Sequence, residues 1–103
     1  MSKTIPISIL RGLLKEQNGK CAISGRKLNP NEVQGDHIIP LSRKELNPTY
    51  GKENVWLVSS EINRIKHNLS YKELVNACRE ILNNEKRTRE LLNKIQSGKI
   101  EEI

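Results

Sequence analysis

Apolar and polar positions alternate along this chain in several distinct rhythms. Near the start, Ile9, Leu10, Leu13 and Leu14 repeat at helical spacing, with Arg11, Lys15 and Glu16 on the other side. The pattern predicts a helix over 6–17, although Gly12 weakens it. Asn18-Gly19 would end it, because glycine accepts the left-handed conformation after a last turn. Cys21-Ala22-Ile23-Ser24-Gly25 reads as a tight knuckle, and Asn29-Pro30-Asn31 supplies turn chemistry within 28–32. A first strand is expected over 33–39. A polar loop over 41–52 follows, with Asn47-Pro48 and Gly51. Asn54-Val55-Trp56-Leu57-Val58 is then a second strand, apolar on both faces and so buried.

Ser59-Ser60-Glu61 opens another helix, a hydroxyl cap followed by an acid that suits the helix dipole. Ile62, Ile65 and Leu69 mark its expected core side, while Asn63 and His67, four residues apart, share another face. Ser70-Tyr71-Lys72-Glu73 is a capping box for the next helix, whose stripe is Leu74, Val75, Cys78, Ile81 and Leu82. Helical periodicity returns over 85–96 with Leu91, Leu92 and Ile95; continuity through Asn83-Asn84 is left open. Ser97-Gly98 ends it, and 99–103 is expected to be a frayed tail. No internal repeat is visible. The element order predicts a small α+β fold, a ββα unit with an N-terminal helix and a C-terminal helical extension. It would be one domain over 1–103, with a core over about 18–69 and C-terminal helices over about 70–97.

Composition sharpens this picture. The chain has 103 residues, 35% of them hydrophobic and none Phe, so its core must be modest and aliphatic. A net charge of +6 favours a polyanionic partner. Two cysteines make a poor disulfide framework, no secretory signal is apparent, and no apolar run approaches the ~20 residues of a membrane span. A soluble, cytoplasmic protein with reduced thiols, not a membrane protein, is the expectation. The Cys21 knuckle has Ser24 where a zinc turn has its second cysteine, so a structural zinc is not expected.

The chemistry concentrates in two polar clusters, Asp36-His37 and Asn63-Arg64-Ile65-Lys66-His67-Asn68, which hold both histidines of the chain. Taken alone, Asp36-His37 is a turn acid beside a half-exposed histidine, His67 is a helix C-terminal residue, and Trp56 is core. Taken together, the clusters hold what phosphodiester cleavage needs. An imidazole of ordinary pKa ~6.5 can take a proton from water near neutrality. A hard carboxylate oxygen suits Mg²⁺, which takes few protein ligands. Because successive strand residues face opposite ways, Asp36 and His37 serve one site only if the backbone bends at the strand end. Asn54 can tie the loop backbone with side-chain hydrogen bonds and so hold His37.

From Asn18-Gly19-Lys20-Cys21 through Lys66, the chain resembles the HNH endonuclease family. The landmarks are Asp36-His37-Ile38-Ile39-Pro40, Asn54 and Asn63-Arg64-Ile65-Lys66. The zinc-less knuckle is similar to the HNH domain of guide-directed CRISPR effectors. The resemblance implies a ββα-metal (His-Me finger) core, with His37 as general base, Asn54 ordering the loop, and Asp36 and Asn63 holding one divalent ion. That ion would be Mg²⁺, with Mn²⁺ or another transition metal as alternatives. His67 departs from the commonest members, which often have glycine there. Bacteriocin-type members carry two helix histidines four apart, so His67 is a candidate third ligand or phosphate contact. Glu61 ranks below it. Arg43, Lys44, Lys52, Arg64 and Lys66, with basic residues of 86–94, would contact the phosphates of double-stranded DNA. One site makes one cut, so a monomer would nick, whereas double-strand cleavage would need a homodimer or two encounters. Little chain remains for reading bases, so specificity would be low or come from a partner protein or guide. The alternatives are a non-cleaving nucleic-acid-binding module and a partner-activated subunit of a larger nuclease.

Overall fold

The computed structural model describes residues 5–100. Among these, four helices and a two-stranded antiparallel sheet make a small α+β fold. The first four residues and the last three of the expected tail lie outside the described residues. Two compact units divide the chain, Met1–Tyr71 and Lys72–Ile103.

In the first unit, helix α1 spans Ile7–Glu16 and ends through Asn18 and Gly19, both at positive φ. Strand β1, Val33–His37, pairs with β2, Val55–Ser59, so that Gln34 faces Val58, Asp36 faces Trp56 and His37 faces Val55. Helix α2, Ser60–Lys66, follows β2 directly, its start capped by the Ser59 hydroxyl, which accepts from the Ile62 N–H at 3.3 Å. The two sheet faces therefore have different covers. Gln34, Asp36, Trp56 and Val58 alternate onto one face, where the Asn63 amide of α2 donates to the Gln34 side chain. Gly35 and Leu57 lie on the other, where a Cβ at Gly35 would run into Ile5 and approach Leu10.

The core joins Cys21, Leu28, Leu57 and Val58, with Leu10, Leu13, Ile23, Val33, Trp56 and Ile62 packed around it. Each fully buried aliphatic side chain contributes about 1.5–3 kcal/mol. The knuckle closes with the Cys21 N–H donating to Arg26 O and the Gly25 N–H to Cys21 O. Gly25 takes φ +74, which a side chain rarely adopts. Gln17, the last residue of the expected helix, lies just past α1 as its C-cap. Its side chain behaves as a short strand, donating to Leu57 O and accepting from Leu57 N–H, both at 2.9 Å.

Two details depart from the sequence pattern. Strand β1 stops at His37, short of the expected Ile39, because Ile38 and Ile39 turn their backbone groups onto Asn54. Helix α2 is rotated from its expected facing. Ile65 is 58% exposed, whereas Lys66, four residues after Ile62, is 0% exposed.

Helix α3 spans Tyr71–Asn83, all but its first residue in the second unit, and α4, also in that unit, spans Glu85–Gln96. Asn84 separates them, its φ of −104° and ψ of 4° breaking the regular helix. Leu74 is the only buried residue of α3, and α4 has none. No helix among the described residues is long and apolar enough to cross a membrane.

Candidate functional site

The loop between the strands is fixed first. Asn54 is buried, and its side-chain oxygen accepts from the Ile39 N–H at 2.8 Å. Its amide donates to Ile39 O at 2.9 Å and Thr49 O at 3.0 Å, while its own carbonyl accepts from Ile38 N–H at 2.9 Å. One residue thus clamps both ends of the loop immediately after His37. A buried amide with this many partners is costly to remove, because each partner would be left unpaired.

Beside the clamp lies an open cleft of about 370 Å³, lined by residues that include Asp36, His37, Ser42, Asn63, His67 and Asn68. Asp36 and His37 come from the end of β1, Ser42 from the loop, and the rest from α2 and the turn after it. The strand end thus lets two adjacent residues line one space. Asn63 donates its amide to Gln34, which leaves its carbonyl oxygen available toward other groups. Among the described residues, Asp36 is the one carboxylate lining the cleft.

That carboxylate is deeply engaged. The Trp56 indole N–H, its cross-strand partner, donates to Oδ2 at 2.8 Å. The Lys66 ammonium lies 3.1 Å from the same oxygen and donates to His37 O at 2.9 Å. Tyr71 meets the Trp56 ring edge-on, with centroids 5.5 Å apart. Lys66 therefore corrects its expected role. It is not a surface contact for phosphate but a buried counter-charge that links Asp36 to the backbone of His37. The pattern held a usable signal: Lys66 stands one helical turn after Ile62, on the side that faces β1.

His67 takes the helix C-terminal place expected of it alone, and not the shared face with Asn63. Helix α2 ends at Lys66, and His67 caps it at φ 47° and ψ −114°, so regular i, i+4 stacking on Asn63 does not apply. A side chain in this region carries strain of about 1–3 kcal/mol. It nevertheless lines the cleft, together with Asn68, which accepts from the Ser42 hydroxyl at 2.9 Å. Arg43 holds the same turn by donating to Asn68 O at 3.1 Å and pairs with Glu45. Lys44 donates to the Tyr50 hydroxyl; Lys52 and Arg64 are exposed. Glu61 lies away from the cleft lining, in an exposed ion pair with Arg26 at 2.6 Å.

Among the described residues, no group of three or more His, Cys, Asp or Glu side chains is placed to hold a metal. The groups that share the cleft are instead the Asp36 carboxylate, the Asn63 and Asn68 amides, the Ser42 hydroxyl and the imidazoles of His37 and His67. Such a set fits a hard divalent cation that keeps several waters. At the knuckle, burial pushes the Cys21 thiol up. Hydrogen bonds from Ser24, by side chain and backbone, and from the backbone of Ser59 and Ile23 outweigh it, bringing the thiol from 9.0 to about 7. Ser24 N–H approaches its sulfur at 3.5 Å.

Comparison with known proteins gives no matching family model and no matching curated protein.

Proposed function

We propose that this protein is a metal-dependent DNA endonuclease of the HNH type, with a ββα-metal core formed by β1, β2 and α2. The observation that carries this reading is the convergence of Asp36, His37, Asn63 and His67 on one cleft beside the Asn54-clamped loop. His37, held by that clamp and by Lys66 on its carbonyl, takes a proton from the attacking water. Asp36 and Asn63 would hold Mg²⁺ or Mn²⁺, which supplies charge stabilisation to the phosphate and the leaving oxygen. Exposed Lys52 and Arg64 meet neighbouring phosphates without reading sequence. A single cleft cuts one strand per encounter.

The Asp36–Lys66 pair favours a second reading, a nucleic-acid-binding module that does not cleave, because it neutralises the one carboxylate of the cleft. Supercoiled plasmid separates the two. The nuclease nicks it in Mg²⁺ or Mn²⁺ and stops when chelator is added. Binding to DNA without relaxation in any divalent metal would leave only the module.

A further inference from the structure

The charge count at Asp36 has a consequence for how the site fills. A divalent cation is held mainly by negative charge, and the cleft lining offers one carboxylate. The Lys66 ammonium, itself without solvent exposure, lies against that carboxylate, and the Trp56 N–H takes part of the same oxygen. Asp36 and Lys66 sum to zero formal charge, and the Asn63 amide adds none. The free protein thus presents a shaped cradle whose carboxylate is already neutralised.

We infer that Lys66 is a positioning residue that sets metal affinity low in the free protein, so that cation and DNA bind cooperatively, the substrate phosphate supplying the missing negative charge. This rests on the nuclease reading for the identity of the ligands. It adds that the site loads as a metal–phosphate unit. Linkage makes the effect reciprocal: DNA must tighten metal binding by the factor by which metal tightens DNA binding.

Trp56 provides the readout. It is the only tryptophan in the chain, and its indole is bonded to Asp36. Its fluorescence, followed as Mn²⁺ alone is added, gives the affinity of the free protein. For the coupling, a fluorescein-labelled duplex is titrated with the His37→Ala protein, with and without Mn²⁺, at constant ionic strength. The Asp36→Asn, His37→Ala protein provides the baseline for metal held by DNA itself. The expected result is a metal-dependent gain in DNA affinity of about 5–150-fold over that baseline. Lys66→Met should tighten Mn²⁺ binding to the free protein by about tenfold or more, since a unit charge at this range acts strongly in a partly buried site, and should shrink the coupling in proportion. A coupling factor of one, or a folded Lys66→Met protein with unchanged Mn²⁺ affinity, overturns the inference. Should circular dichroism show Lys66→Met unfolded, the coupling factor of the Lys66 protein decides alone. Intact coupling with no plasmid cleavage would remove the nuclease reading and leave the cooperative loading in place.

Discussion

The two units of this protein break the usual inside–outside rule in opposite ways. In Met1–Tyr71, polar groups go inside: Asp36, Asn54 and Lys66 are buried beside an aliphatic core. In Lys72–Ile103, apolar groups stay outside: Ile81, Leu82, Leu91, Leu92 and Ile95 are all exposed. The first departure is the more informative, because Lys and Asp are rarely buried unless paired, whereas exposed apolar residues are common. The buried polar set comes with a full complement of partners, and no buried side-chain nitrogen or oxygen among the described residues lacks one. Such a network is expensive to assemble and fixes one geometry. Here that geometry surrounds the cleft. The exposed stripe of α3 and α4 orders nothing comparable. The candidate site belongs to the unit that buries its polar groups, and mutations should divide the two regions sharply.

The largest effect is expected at Lys66. Lys66→Met leaves Asp36 buried without its counter-charge, which should lower stability by roughly 3–5 kcal/mol in urea unfolding. A loss below 1 kcal/mol would mean that Asp36 is rehydrated and the network loose. Asn54→Ala comes next, because three hydrogen bonds to Ile39 and Thr49 disappear at once. A loss of about 3 kcal/mol is expected, together with faster amide exchange at Ile39. Unchanged exchange there would show that the loop does not depend on the clamp. At His67 the sign reverses. His67→Gly removes a side chain from a strained backbone and should raise stability by about 1 kcal/mol, while weakening whatever the imidazole holds in the cleft. Destabilisation would show that the histidine makes contacts worth more than its strain. In the second unit, Leu92→Gln should change stability by no more than about 0.5 kcal/mol. A larger loss would reveal a covered surface and narrow the contrast between the units.

Much of this architecture was legible in the residue pattern, for identifiable reasons. Helix α1 spans Ile7–Glu16 within the expected 6–17, since a clear stripe and an Asn-Gly stop leave little freedom. The hydroxyl at Ser59 marked the start of α2, and Asn54 was placed at the loop it ties. What escaped depended on tertiary contacts. Lys66 reads as a surface base unless the acid across the sheet is known to face it. Ile65 reads as core only while α2 is assumed to lie on its most apolar side. His67 was placed by helical spacing, but the helix ends one residue earlier, and spacing carries no information beyond the last turn. Gln17 had no signal at all, because a side chain that pairs like a strand looks like any polar residue after a helix.

The proposed division of labour at the strand end gives Asp36 the cation and His37 the proton. It is tested most directly by following plasmid nicking and Mn²⁺ binding in parallel in His37→Ala and Asp36→Asn. Nicking by His37→Ala should fall by about 10²–10⁴-fold while its Trp56 fluorescence response to Mn²⁺ persists, whereas Asp36→Asn should lose both. A His37→Ala protein that nicks as fast as the unaltered chain would contradict it.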